Sequence, residues 1–350
     1  MTTIPTTMKA VLLNGLGDSS VLEYRQDVPV PIPNNNEVLI QISAAAVNNT
    51  DINTRIGWYS KDESSSDDAS WSGNALRFPR IQGADVCGVI VAVGHSVDQN
   101  RIGERVLIEP CISNVNGQSV NPPWYFGSEC DGGFAQYTVV SSIHAYNVNS
   151  GLSDIELASF PCSYSTAENM LTRSKVTKGD RVLISGASGG VGSAAIQLAK
   201  ARGATVIAIT STSKRELVLR LGADSVVARN DDLVEVLGKN SVDVVIDLVA
   251  GDQWPKFLEI LRPKGRYAVS GAIGGALVEL DVRTLYLKDL NFFGCTVLEP
   301  KVFGNLIHHI EQGNIKPLVA KTFPLEAIHQ AQAEFLEKKH VGKIVLTVKD

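Results

Sequence analysis

Residues 182–210, VLISGASGGVGSAAIQLAKARGATVIAIT, carry the chain's most chemically suggestive spacing. An apolar run leads into Gly186-Ala187-Ser188-Gly189-Gly190-Val191-Gly192, and a helical pattern starts there. Gly189 would let backbone approach a pyrophosphate. Gly192 would let the helix pack close against the strand, and the helix start would offer unpaired N–H groups and a positive dipole end. Ala187 stands at the first position of the G-x-G-x-x-G pattern, so the fit is A-x-G-x-x-G. The strand–turn–helix context and the following strand carry the assignment. Ser188, Gly189, Gly190, Val191 and Gly192 are expected to hold a dinucleotide.

The end of the next strand selects between dinucleotides. A preference for NAD usually places Asp or Glu there, on the ribose 2′-hydroxyl. Here the chain reads Ile209-Thr210-Ser211-Thr212-Ser213-Lys214-Arg215, and the first acid is Glu216. Hydroxyls followed by cations suit a 2′-phosphate through charge-assisted hydrogen bonds. Cations in a first helical turn otherwise oppose the dipole. Ser211 and Lys214, with Arg229 past the third strand to stack on adenine or pair with the same phosphate, predict NADP.

These residues need a framework. From about 175 onward strands and helices alternate: strands at 181–185, 205–210, 225–228, 244–248 and 267–270, helices at 191–202, 214–221, 231–237 and 253–261, and a turn at Pro263-Lys264-Gly265. That rhythm means βαβ units on a parallel sheet. The first 150 residues instead show short apolar or alternating runs (9–13, 38–43, 86–93, 106–108, 134–140) split by Gly, Pro and Asn, as in a barrel or sandwich. The tail adds helices near 302–312 and 325–338 and a strand at 343–348. Residues 57–74, GWYSKDESSSDDASWSGN, are polar but carry Trp58, Tyr59 and Trp71. They read either as a solvated loop or as a lid with aromatics over a pocket.

Composition excludes several classes. The chain has 350 residues, a formal net charge of −5, 44% hydrophobic and 20% charged residues. These values suit a globular protein of about two domains and speak against a nucleic-acid partner, which prefers a basic face. No apolar run is long enough to span a bilayer. The N-terminus lacks a secretory pattern, and five cysteines without a C-x-x-C pair form no disulfide frame. The expected location is the cytoplasm. The six histidines show no metal spacing.

Seven segments together resemble the medium-chain dehydrogenase/reductase superfamily: AAAVNNTDINTRIG (44–57), IQGADVCGVIVAVG (81–94), RIGERVLI (101–108), DGGFAQYTVV (131–140), LASFPCSYSTAENML (157–171), GASGGVG (186–192) and VGKIVL (341–346). The resemblance implies an α/β fold with a GroES-like β-barrel catalytic domain, residues 1–155 completed by 300–350. An inserted Rossmann domain, residues 156–299, would bind NADP, with the active site in the cleft. It also implies a homodimer through 290–297.

The superfamily divides on zinc. The V-C-H-T-D motif reads Val47-Asn48-Asn49-Thr50-Asp51 here, so Asn48 replaces a cysteine ligand. G-H-E reads Gly83-Ala84-Asp85, so Ala84 replaces a histidine. Cys162 alone matches the third ligand, and one thiolate with one carboxylate is short of a catalytic zinc site. Cys111 and Cys130 are too few for the structural zinc lobe. Cys87, Cys162 and Cys295 then read as small buried hydrophobes, and no metal is expected.

Without zinc the chain looks closest to the quinone oxidoreductase-like branch, whose V-N-x-x-D motif Asn48 and Asp51 match. Where that branch often has tyrosine, five residues after the asparagine, this chain has Asn53. An aromatic wall would have to come from Trp58, Tyr59 or Trp71. The implied reaction is hydride transfer from NADPH to a small-molecule quinone or α,β-unsaturated carbonyl. Asn48 and Thr50 would act as donors to the acceptor oxygen, and Asp51 would serve in the same motif or as a helix cap. By the same resemblance Thr166 would touch the nicotinamide, although Ser165 with Glu168 also fits a capping box. Phe293 and Cys295 would meet the carboxamide through their backbone, and Lys343 the pyrophosphate. The rivals are a zinc-type alcohol dehydrogenase or carbonyl reductase, an enoyl-thioester reductase, and a nucleotide-binding protein without turnover.

Overall fold

The computed structural model describes residues 4–60 and 66–348. The chain divides into two compact units, one running to Cys162 and resuming at Pro317, the other Ser163–Lys316.

The first unit is built on the strand Glu37–Ala46, EVLIQISAAA, whose side chains are nearly all buried. β-Branched residues fill its first half and alanines its second, so neighbouring strands can close on both edges. One edge takes Asp85–Val93. The other takes Tyr137–Ser141 along the first half and Lys343–Thr347 along the second. Arg105–Ile108 and Ala145–Asn147 extend the sheet past Asp85–Val93, and Val319–Pro324 extends it past Lys343–Thr347. Thr7–Leu13, Leu22–Pro29 and Arg80–Ile81 form a second sheet, and Cys111–Val115 pairs with Gln118–Tyr125 as a hairpin. The core between them includes Leu13, Leu39, Ile40, Ile42, Phe126 and Phe134.

Register decides what gathers at one end of this barrel. Ala46 stands opposite Asp85 on one side and opposite Val345 on the other. Opposed residues share a face, and the face repeats every second residue. Asn48, two beyond Ala46, and Lys343, two before Val345, therefore emerge on the face of Asp85. Gly83 makes the approach to Asp85 possible. Its φ is +105°, and a Cβ there would sit 2.6 Å from the ring of Phe134.

The second unit is a six-stranded parallel sheet in the order Ser225–Ala228, Thr205–Thr210, Arg181–Ile184, Val242–Asp247, Leu261–Val269, Asn291–Gly294. Counting strands along the chain this is 3-2-1-4-5-6, the doubly wound order. Its ligand crevice lies where the order reverses, between strands 1 and 4. The expected strands 205–210 and 225–228 have those limits here. The turn at Pro263-Lys264-Gly265 survives as a bulge inside Leu261–Val269, with Lys264 at φ +64°.

The boundaries differ from the expected 155/156 and 299/300. The helix Val302–Glu311 belongs to the second unit, with Val302, Phe303, Leu306, Ile307 and Ile310 buried. The chain then stays with that unit through Lys316. The Lys316 carbonyl accepts from the Tyr164 hydroxyl at 2.7 Å, and its N–H donates to Gln197 at 2.8 Å. The helix Pro161–Arg173 places Ser165, Thr166 and Glu168 in mid-helix, so Ser165 and Glu168 do not form the capping box. Glu168 instead pairs with Arg202 at 2.6 Å.

Candidate active site and dinucleotide cradle

In the first unit the three strands deliver a buried polar cluster. Lys343 Nζ lies 2.7 Å from Asp85 Oδ2, with side-chain exposures of 4% and 0%. The same ammonium donates to Asn48 Oδ1. Asn48 Nδ2 donates to Asp85 Oδ2 at 2.9 Å and to the Ala46 carbonyl at 3.3 Å. The other carboxylate oxygen, Asp85 Oδ1, accepts the N–H of Cys162 at 2.5 Å. Only one orientation of the Asn48 amide fits, since an ammonium needs an acceptor and a carboxylate needs a donor. Both amide hydrogens are thus committed inside the protein. The expected role of Asn48 as a donor to substrate does not fit this arrangement; the side chain orients Lys343 and Asp85.

Asp51 caps the helix Asn49–Arg55. Its Oδ2 accepts the Asn48 N–H at 2.7 Å and its Oδ1 the Gly83 N–H at 3.2 Å. Burial pushes its carboxyl up to about 7, against the pull of the Asn48 N–H and the Lys343 charge. Thr50, half-buried on the same helix, accepts from the Tyr59 hydroxyl at 3.2 Å and keeps its own hydroxyl hydrogen to donate.

An aromatic shell adjoins the cluster. Tyr125 lies with its hydroxyl 3.0 Å from Cys162 Sγ. Trp71 stacks on the Tyr125 ring at 4.7 Å. Glu129 fastens this arrangement: one carboxylate oxygen accepts from the Ser72 N–H and hydroxyl, the other from the Tyr125 N–H, each at 2.7 Å. Of the three loop aromatics, Trp71 and Tyr59 turn to this region, whereas Trp58 is 48% exposed. Residues 61–65 of the expected lid lie outside the described residues. Tyr125 carried no motif signal, because it sits in a hairpin whose sequence, QSVNPPWY, resembles a loop.

A catalytic zinc ion fits these residues poorly. The aligned positions offer an amide, a methyl group and a thiol. The thiol of Cys162 is buried and shares a hydrogen bond with the Tyr125 hydroxyl. Asp85 is already neutralised by an ammonium. Among the described residues no three His, Cys, Asp or Glu side chains converge as a ligand set, and none of the five cysteines forms a disulfide. His144 is buried as a strut: it binds Glu109 at 2.7 Å through Nδ1 and accepts the Ser113 and Asn114 N–H groups at Nε2.

In the second unit the glycine-rich turn follows Ile184, at the crevice of the sheet. The helix Gly190–Ala201 starts after Gly189, and no side chain caps it. The N–H groups of Gly190, Val191 and Gly192 thus face out of the first turn. Ser188 is buried and Gly189 exposed. A Cβ on Gly192 would run into the Gly186 carbonyl oxygen.

Ser211 and Ser213 touch through their hydroxyls at 3.1 Å. Burial and the neighbouring Arg229 charge lower the pKa of Lys214, so two cations stand close together. Arg215 is spent on the Val226 carbonyl. Thr166 is half-buried. The Cys295 N–H is used by the Val269 carbonyl at 2.9 Å, with its side chain buried and Phe293 half-buried. A network that the motifs did not single out ties the ends of adjacent strands. Asp247 accepts from the Ser185 hydroxyl at 2.5 Å, the Tyr267 hydroxyl at 2.6 Å and the Val249 N–H at 3.0 Å.

Comparisons with known proteins agree with this architecture. Residues 34–150 match the alcohol dehydrogenase GroES-like domain family, and residues 190–312 the zinc-binding dehydrogenase family. A quinone oxidoreductase of Lama guanicoe is 30% identical over 98% of each chain. An acryloyl-coenzyme A reductase of Sulfurisphaera tokodaii is 28% identical over 97% of this chain and 99% of its own. A Sinorhizobium meliloti crystal structure, provisionally described as an alcohol dehydrogenase, superposes with a TM-score of 0.92 at 46% identity, covering 99% of this chain and 98% of its own.

The raised pKa of Asp51 has a sign that can be measured. Its folded value lies above the unfolded one, so the folded state holds that proton more tightly. This stabilising contribution is complete below the unfolded pKa and is lost as pH rises through the folded one. Thermal melts from about pH 5 to pH 8 should show wild type losing stability relative to Asp51→Asn. Parallel curves would contradict the assignment.

Proposed function

The chain belongs to the medium-chain dehydrogenase/reductase superfamily, in its quinone oxidoreductase-like branch, and within that family of oxidoreductases we propose that it reduces quinones or α,β-unsaturated carbonyls with NADPH and without zinc. A bound NADPH would supply hydride to an electron-poor carbon of the acceptor, its ring becoming positively charged while negative charge develops on the acceptor oxygen. A proton from solvent completes the reduced product. The chain's residues hold the dinucleotide at Ser188–Gly192, position the acceptor, and stabilise the charge on its oxygen. Thr50 is the hydroxyl placed to donate to that oxygen.

The observation that carries this reading is the ammonium–carboxylate–amide cluster of Lys343, Asp85 and Asn48, with Asn48 standing where zinc relatives keep a cysteine ligand. NADPH is favoured over NADH by Lys214 beside Arg229, with hydroxyls and no acid at the end of the strand Thr205–Thr210. A bound 2′-phosphate would relieve the repulsion between these cations. The acryloyl-coenzyme A reductase among the relatives extends the acceptor class to enoyl thioesters.

A second copy of the chain is the proposed partner. Asn291–Gly294 is the last strand of its sheet, and Phe292 on it and Leu287 and Tyr286 shortly before it are 37%, 71% and 60% exposed. An unpaired edge beside apolar side chains favours association. Light scattering should give twice the 37.6 kDa chain mass; a single-chain mass would remove the dimer.

Two measurements test the chemistry. NADPH absorbance followed with a panel of quinones, enals and enoyl thioesters should fall with at least one of them, equally with and without a chelator. Loss of activity to the chelator, restored by zinc, would return the zinc-type alternative, and no turnover at all would leave a nucleotide-binding protein. Lys214→Ala should raise the KM for NADPH about tenfold or more, the scale of one charge-assisted contact, and leave NADH nearly unchanged. Equal effects on both would remove the 2′-phosphate assignment.

A further inference from the structure

Resting on that reading, we infer that Lys343 is the fixed positive charge of the reacting centre, held there by Asn48 and Asp85 as positioning residues, and that it does electrostatically what a bound metal does in zinc relatives. Asn48, Asp85 and Cys162 come from three distant stretches of sequence, and the fold brings them together. A cation stands among them, and it is covalently part of the chain. Its nitrogen is 2.7 Å from Asp85 Oδ2 and donates to Asn48 Oδ1. At 4% exposure an ammonium persists only where its lost hydration is replaced, and the carboxylate and the amide oxygen replace it.

The surroundings suit this role. Trp71, Tyr125, Tyr59 and the Cys162 thiol form a neutral, largely apolar neighbourhood. In it a charge acts at low effective dielectric and needs no reorganisation as the reaction proceeds. Negative charge arriving on an acceptor oxygen here would meet a field already in place. The amide of Asn48 binds both members of the ion pair, so it fixes where that field originates. Lysine serves as a compact point charge for this purpose, where the planar fork of arginine would need two acceptors in register.

The test separates chemistry from binding and from folding. Lys343→Met should lower kcat at least about 100-fold, the scale of removing one oxyanion-stabilising group. NADPH affinity, read by fluorescence titration, should stay within about threefold. Because this variant leaves Asp85 buried without its partner, the double variant Asp85→Asn with Lys343→Met removes both charges together. It should melt cooperatively, bind NADPH normally and show the same kcat loss. Wild-type turnover in the double variant would make the pair purely structural and overturn the inference. A loss of NADPH affinity matching the loss of turnover would overturn it too, by assigning Lys343 to the pyrophosphate. If wild type itself consumes no NADPH with any acceptor, the hydride-transfer reading falls and this inference with it. Wild-type turnover equalled by the double variant removes the inference alone.

Discussion

The buried pair between Lys343 and Asp85 is the constraint around which the first unit is arranged. Each charge alone would be untenable at its depth. Removing one partner of such a pair typically costs about 3–5 kcal/mol, because it strands the other. The pair in turn requires three strands in one register, with Ala46 opposite both Asp85 and Val345. It also requires Gly83 at a positive φ against the Phe134 ring, and an asparagine at 48 whose two ends match the two charges. Histidine at 84 or cysteine at 48 would offer metal ligands, whereas the Asn48 amide presents its oxygen to the ammonium and its N–H to the carboxylate.

The shell around the pair shows how a neutral environment is kept neutral. Burial raises the pKa values of Tyr59, Tyr125 and Cys162, so these groups stay uncharged beside the carboxylates. The Glu129 side chain nearby accepts from the Ser72 and Tyr125 N–H groups. Its effect, with the Ser128 hydroxyl that accepts from the Trp71 N–H, is to fasten Trp71 over Tyr125. In the second unit Asp247 plays a comparable part. It gathers two hydroxyls and the backbone after its strand at the crevice of the parallel sheet.

Much of this was legible in the sequence, and the illegible parts share a cause. The parallel-sheet unit announced itself because its strands are buried on both faces and its glycines have local reasons to be there. Thr205–Thr210 and Ser225–Ala228 have the expected limits. The barrel was harder. Leu22–Pro29 is exposed on alternate residues and polar throughout its middle, and Gln118–Tyr125 contains two prolines, so neither reads as a strand. The motif around Asn48 carries no sign of how its amide is used. What commits its amide is Lys343, 295 residues later, and no local pattern contains that information. The far boundary of the inserted unit was misplaced for a similar reason. The helix Val302–Glu311 is amphipathic in either unit, and only its tertiary contacts assign it.

The insertion also sets an order of assembly during synthesis. The nucleotide-binding unit is one uninterrupted segment, Ser163–Lys316, and can be finished as soon as that segment has left the ribosome. The barrel, most of whose strands precede that segment, must wait for Lys343–Thr347, which follows it. Until then Asp85 lacks its counter-ion. Barrel strands made before the nucleotide-binding segment are thus completed only after it, and a chain without Lys343–Thr347 would have a sound cofactor module and a barrel unable to close.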